Sequence, residues 1–311
     1  MRTRIRIDIA AGPLHGEFAN LKQGRLKRMH AGNICLTFDF DATSLWISRG
    51  MTTATPLSRG EFGVHALPRL LRMLAKKGIR STWFIPGHTI DTYFEACQQI
   101  VEAGHEVALH GYLHENNATL DAQHERSVFE RSIQCVERLT GQRPSGFRSP
   151  GWDLSDHTIA FLSTFGIQYD SSLMSQDYSV FYSREADTVH PDGSIVQGKT
   201  SGIVEMPISW SLDDYPHFEY LRTSTMLMPG FRKTESVYAN WLDDVRYMAR
   251  DFSNGVCTIT LHPQVVGRGH RLLGLERFLD ALGEMDMQFA RMDDIVARFR
   301  EGEAFGVYDP A

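Results

Sequence analysis

The sequence predicts an α/β fold in which one parallel sheet is covered by helices, closed into a barrel or left open and doubly wound. Three observations carry this. Short runs of β-forming apolar residues alternate with amphipathic helical stretches seven or eight times. The alternation has no break in composition, so it reads as one large unit. Chemically capable side chains recur where the strand-like runs end, and in a βα barrel those ends share one rim. No GxGxxG fingerprint or Walker loop is present, which argues against a nucleotide-binding version of the sheet.

The first strand lies in residues 34 to 41, ICLTFDFD, where five residues suited to burial run into two carboxylates, Asp39 and Asp41. Residues 42–59 are polar, with Ser, Thr and Gly, and read as an active-site loop. Val64, Leu67, Leu70, Leu71 and Leu74 predict a helix over 61–77, stopped by Gly78. A strand over 81–85 closes at Pro86-Gly87, a helix over 91–103 ends at Gly104, and a strand over 106–109 runs into His110. A helix over 122–139 closes at Gly141, followed by a short strand over 146–148. Ser155 is placed to cap a helix that reaches Phe165, and 167–169 is a strand. Residues 171–202 read as irregular, with a turn at Pro191-Asp192-Gly193. Then come a strand over 203–206, a helix over 235–252, and a strand over 256–261 that ends at His262. A helix over 272–282, a strand over 288–290 and a helix over 293–300 complete the pattern.

Composition excludes several classes. A net charge of −6 offers no basic field for nucleic acid or acidic lipid. No stretch approaches the 18 apolar residues of a membrane span, and no apolar run follows the basic residues near the start as a secretory signal requires. The four cysteines are scattered without a CxxC pair; Cys35 and Cys257 sit in strand-like runs and read as buried free thiols. A cytoplasmic protein is expected. The organisation expected is an N-terminal arm over 1–30, a catalytic barrel over 31–300 and a tail over 301–311.

Asp39 and Asp41 stand at one strand end, where one acid can bind a metal while the other works as a base. His110 and His114, in HGYLH, are spaced to share one side of a helical turn and chelate a single ion. With an acid from a neighbouring strand end they form a two-histidine, one-carboxylate set that suits zinc hydrolysis or non-haem iron. Arg148 and His262 follow two further strands. Asp213 and Asp214 can orient His262 or form an exposed loop pair. Trp152 and Trp210 can line a pocket or pack outside the barrel, and Trp46 and His88 are further candidates for substrate contact.

These motifs resemble the polysaccharide deacetylase family, the NodB-homology domain or carbohydrate esterase family 4. The resemblance covers residues 31 to 300 and rests on TFDFD, HGYLH, RSPGW at 148–152 and ITLHP at 259–263, in family order. It implies a distorted, TIM-barrel-like (β/α) barrel of seven or eight strands. It implies Asp39 as catalytic base, Asp41, His110 and His114 as metal ligands, Arg148 as the arginine that orients the base, and His262 as general acid. One divalent ion is expected, zinc first, with cobalt, manganese, nickel or iron as alternatives. Phe40 separates two aspartates that most members place side by side, and Gly111 replaces the usual Ser or Thr. With the segment SWSLDDYP, these departures resemble a divergent intracellular branch that includes cyclic imide hydrolases, a metal-free allantoinase and a peptidoglycan-deacetylase-like protein. The expected activity is therefore metal-dependent hydrolysis of a non-peptide C–N bond in a small linear or cyclic amide or imide. Deacetylation of a polysaccharide or peptidoglycan N-acetyl sugar is the alternative, and a fold kept for binding alone is a third. Homo-oligomers are expected from the same resemblance.

Overall fold

The computed structural model describes residues 31–222 and 227–310, so the expected N-terminal arm lies outside the described residues. Nine strands form the main sheet: β1 (Gly32–Asp39), β2 (Thr82–Ile85), β3 (Glu106–Leu109), β4 (Gly146–Phe147), β5 (Tyr169–Asp170), β6 (Phe181–Glu185), β7 (Lys199–Glu205), β8 (Val256–Leu261) and β9 (Met287–Phe289). Eight follow one path, β8-β1-β2-β3-β4-β5-β7-β6, and β9 pairs with β1. All pairs are parallel except β6 with β7. The sheet curls into a half-barrel, and no ladder joins β6 to β8 among the described residues. Single contacts cross the gap instead: the Val256 N–H donates to the Tyr178 carbonyl at 2.9 Å, and Asp213 pairs with Thr260.

Helices α1 (Ser44–Ser48), α2 (Ala54–Lys77), α3 (Gly87–Thr92), α4 (Phe94–Glu102), α5 (Ala122–Thr140), α6 (Thr158–Phe165), α7 (Asp214–Phe218), α8 (Thr234–Asp251), α9 (Pro263–Val266), α10 (Gly269–Glu284) and α11 (Met292–Arg300) complete the chain. The alternation of β1 divides two cores. Ile34, Leu36 and Phe38 pack toward the helices with Leu67, Leu70 and Leu74 of α2. Cys35 faces the interior with Phe84, Tyr169, Val204, Met292 and Ile295, so α11 plugs the closed end of the half-barrel. The strands' carboxyl ends are left open at the other rim.

Three expectations need correction. The stretch 42–59 is mostly helical, because α1 and the first turns of α2 occupy it. Residues 171–202 are not irregular throughout: β6 pairs antiparallel with β7, and Thr188–Val189 pairs with Ile195–Val196 beyond it. The helix expected over 91–103 is two helices, α3 and α4, meeting at Tyr93. All four cysteines are buried and free. In the expected tail, Val307–Tyr308 pairs with Phe252–Ser253 at the end of α8. No helix among the described residues is long and apolar enough to cross a membrane.

Candidate active site

At the open rim β1 delivers both carboxylates to one place. Phe40 continues the extended path, its N–H donating to the Phe84 carbonyl at 2.9 Å, while its ring lies edge-on to Trp83 on the helix side. Asp39 and Asp41, two residues apart, therefore face the same way. Both are buried. The Asp41 carbonyl accepts hydrogen bonds from Thr89 Oγ1 and Ser44 Oγ, each at 2.7 Å, which fixes the chain as it leaves the strand. Ala42 then turns with φ +48°, and α2 seats against it through Gly60. A Cβ at position 60 would stand 2.4 Å from the Ala42 carbonyl oxygen.

His110 and His114 do not share a helical turn as their spacing predicted. Gly111 (φ +67°) and His114 (φ +59°) are both left-handed, and the Glu115 carboxylate accepts the N–H groups of Tyr112 and Leu113 at 2.9 Å. The turn still brings the rings together, perpendicular and 5.1 Å apart. His110 Nδ1–H donates to the Arg148 carbonyl at 2.8 Å, which leaves its Nε2 lone pair free. Asp41 Oδ1 lies 3.5 Å from His110 Nε2 and 3.8 Å from His114 Nε2. That oxygen is buried and accepts no hydrogen bond among the described residues. One atom from each residue lies within 4.8 Å of the others. An orphaned buried carboxylate oxygen facing two imidazole nitrogens fits a divalent cation.

Electrostatics agree with that use. Burial works against charge on Asp41, yet His114, His110 and His262 together hold its carboxyl below the usual carboxylate range. Burial, aided by His110 and Arg49, pushes His114 down to about 4 despite Asp41, so its ring is neutral near pH 7. His110 is burial-disfavoured as a cation but is raised by Asp39 and Asp41, so a proton and a metal ion compete for its Nε2.

Asp39 has a different partner. Its Oδ1 accepts from Arg148 Nη1 at 2.6 Å, and that guanidinium is fully buried over the Phe84 ring. Arg148 also donates to Thr37 Oγ1, the Ser171 carbonyl and Ser171 Oγ, so its fork is held from three sides. Across the site, His262 Nδ1 donates to Asp214 Oδ1 at 2.8 Å and lies 3.5 Å from Asp213 Oδ1, while Nε2 points inward, 3.9 Å from Asp41 Oδ2. The two acids are buried, which resolves the choice the sequence left open. The Asp213–Thr260 bridge sets them beneath His262. Burial pushes Asp213 up to about 7, with Asp214 adding to it against His262. Burial alone would lower His262, but Asp213, Asp214 and Asp41 raise it well above the ordinary imidazole value.

The site opens into a cavity of about 50 Å³. Trp152 and Trp210, stacked at 3.9 Å, form one wall with Gly151, and Leu45, Arg49 and Tyr215 form another. Trp46 and His88 do not line it. Trp46 is fully buried beneath the Arg59 guanidinium, and His88 packs against Tyr112 behind the 110–114 turn. Sequence reasoning missed Arg49, Tyr215 and Gln264, whose Nε2 donates to Asp41 Oδ2 at 3.4 Å. None follows a strand directly, so strand-end position gave no signal for them. A larger cleft of about 870 Å³ lies between α6 and β6, but no histidine lines it.

Comparison with known proteins gives the chain a family. The family model described as polysaccharide deacetylase matches residues 27–169. A peptidoglycan deacetylase of Helicobacter pylori is 34% identical over 259 residues, covering 79% of this chain and 88% of that one. A peptidoglycan deacetylase-like protein of Gibberella zeae is 30% identical over 307 residues, covering 90% of each. A crystal structure from Mycobacterium smegmatis, solved as a candidate polysaccharide deacetylase, superposes with a TM-score of 0.74 at 28% identity, covering 91% of this chain and 95% of the other.

Proposed function

The chain belongs to the polysaccharide deacetylase family, and we propose that it is a metal-dependent hydrolase of a non-peptide C–N bond in a small linear or cyclic amide. The observation that carries this is the convergence of three sets at one rim: Asp41 with His110 and His114, Asp39 with Arg148, and His262 with Asp213 and Asp214. Asp41, His110 and His114 would hold the ion, with zinc preferred for a two-imidazole, one-carboxylate set with open positions. When bound, that ion polarises the scissile carbonyl and makes a nearby water more acidic.

The remaining steps belong to the chain. Asp39, held by Arg148, takes the proton of the attacking water at the oxygen not committed to the arginine. His262 is held as an imidazolium by the surrounding carboxylates, its Nδ1–H on Asp214, and donates its Nε2 proton to the departing nitrogen. Asp214 fixes that ring orientation, and Asp213 adds the charge that keeps the ring protonated. Trp152 and Trp210 offer a flat apolar wall to whatever flanks the scissile bond.

The cavity of about 50 Å³ suits a small acyl portion, whether of a small amide or of an N-acetyl group. A second reading, removal of the N-acetyl group from a peptidoglycan or polysaccharide sugar, is supported by the names of both relatives and uses the same residues. Zinc-loaded protein should be assayed on succinimide-like rings, simple N-acetyl amides, chitooligosaccharides and peptidoglycan fragments. Turnover of the small amides at the higher kcat/KM is the expected result. Turnover of sugar oligomers alone would reverse the order of the two readings, and inactivity on all of them with the metal bound would favour a binding role.

A further inference from the structure

Charge accounting at the rim leaves one cation over. Arg148 pairs with Asp39, and His262 pairs with Asp213 and Asp214. Asp41 faces the two histidines of the metal set. Arg49, on the cavity wall at the end of α1, has no carboxylate partner among the described residues. Its Nη1 donates to the Tyr215 hydroxyl at 3.0 Å, which spends one of the five donors of a guanidinium and leaves the rest of the fork available.

Tyr215 also fixes where the arginine stands. Its ring centroid lies 5.8 Å from Arg49 Cζ and 5.2 Å from the His262 ring, so one aromatic ring separates Arg49 from the proposed proton donor. Tyr215 is itself buried and anchored through its N–H to Asp213, so the row is built on the same segment that orients His262. His262 serves the departing nitrogen. A group reaching Arg49 past Tyr215 therefore belongs to the amine half of the substrate rather than to the acyl half.

We propose that Arg49, positioned by Tyr215, is a specificity residue that binds an anionic group, a carboxylate in the first instance, carried a few bonds from the nitrogen on the amine half of the scissile amide. This rests on the hydrolase reading above and narrows it to N-acylated amino acids or acidic amino sugars. A forked guanidinium suits a carboxylate, and because Arg49 is exposed, solvent screens the pair to about a few-fold in affinity.

Binding, measured by ligand-observed NMR on the zinc-loaded protein, tests this without relying on turnover. The probes are N-acetylglycine, with its acid on the amine half, N-acetylglycinamide, its neutral counterpart, and succinamate, with its acid on the acyl half. Wild type is expected to bind N-acetylglycine about three- to fivefold more tightly than either of the others. Arg49→Gln should bring the N-acetylglycine to N-acetylglycinamide ratio near one, Arg49→Lys should retain part of it, and Tyr215→Phe should reduce it while leaving the charge in place. A wild-type ratio near one, an unchanged ratio in Arg49→Gln, or a preference for succinamate would each overturn the proposal. Hydrolysis of the neutral amide is read separately. Its absence counts against the hydrolase reading, while the binding ratio still decides the role of Arg49.

Discussion

Asp39→Asn separates the two carboxylates most sharply. Asparagine keeps an oxygen where Asp39 Oδ1 accepts from Arg148 at 2.6 Å, so the hydrogen bond survives while the buried guanidinium loses its counter-charge. Leaving one partner of a buried ion pair uncompensated costs about 3–5 kcal/mol, and the retained hydrogen bond offsets part of it, so the stability loss should be about 2–4 kcal/mol. A domain with a usual margin of about 5–15 kcal/mol stays folded under that change. The metal set should also survive, because the orphaned oxygen between the imidazoles belongs to Asp41, whereas Asp39 Oδ2 is 3.8 Å from His110 Nε2. What goes is the proton acceptor. Losing a positioned base costs about 10²–10⁴ in kcat, or about 3–5 kcal/mol of barrier, too much for partial unfolding to mimic. Steady-state rates, metal content by atomic absorption and a thermal melt on one preparation decide the matter, with Asp41→Asn in parallel. The expected pattern is low kcat with full metal in Asp39→Asn and lost metal in Asp41→Asn. If Asp39→Asn shed its metal while Asp41→Asn retained it, the roles would be exchanged and the reasoning from the orphaned oxygen would be refuted.

Three further outcomes are expected. His262 must be protonated to act as an acid and is raised above its ordinary 6.5, so the alkaline limb of kcat should lie above that value. Asp214→Asn should move the limb to lower pH and cost more rate at pH 8 than at pH 6; an unmoved limb would remove Asp214 as the partner of His262. Gly111→Ala places a Cβ 3.0 Å from Glu115 Oε2 at φ +67°, a strain of about 1–2 kcal/mol. Zinc competition titration should show affinity weakened about tenfold, and unchanged affinity would mean the turn is not what seats His114. Gly60→Ala ordinarily gains about 0.5–1 kcal/mol in a helix, yet here the new Cβ meets the Ala42 backbone, and a net loss of about 1–3 kcal/mol is expected in denaturant unfolding. A stabilised variant would show that the α2–Ala42 contact relaxes freely.

How much of this could be read from the chain depends on whether position along a strand or contact across the fold decides a residue's role. The alternating pattern gave β1, β2, β3 and β8 nearly residue for residue, because each is a run of apolar β-formers closed by a polar side chain or, for β2, by Pro86. It missed β6 because Phe181–Glu185 alternates between exposed and buried at an edge and carries two charges. Helical spacing misled for His110 and His114. Glu115 satisfies the Tyr112 and Leu113 N–H groups locally and so competes with a helix, an effect that depends on two left-handed residues no periodicity reports. Asp213 and Asp214 were ambiguous because two adjacent acids ordinarily mark a surface loop. Only their pairing beside Thr260 brings them inside. Arg49 and Tyr215 lie 166 positions apart and meet through tertiary packing alone.

The separation of Asp39 from Asp41 by Phe40 underlies the division of labour proposed for the two acids. In an extended chain, side chains alternate between faces, so two acids two positions apart share one face. Phe40 takes the intervening place and buries its ring against Trp83 in the helix-side core, which ties the register of the acids to hydrophobic packing. The two positions then meet different surroundings. Asp39, still on the strand, faces the interior layer that holds Thr37 and Arg148, so a buried guanidinium already neutralises it. Asp41, two residues past the strand's end, lies beyond the arginine's reach and, among the described residues, finds only imidazoles and the weak amide donor of Gln264. A carboxylate with a fixed cation has little to gain from a metal, whereas one without it is left with an unmet charge in a dry place. Ionic partnership, set by a two-residue step along β1, is thus what makes one acid fit to accept a proton and the other fit to hold an ion.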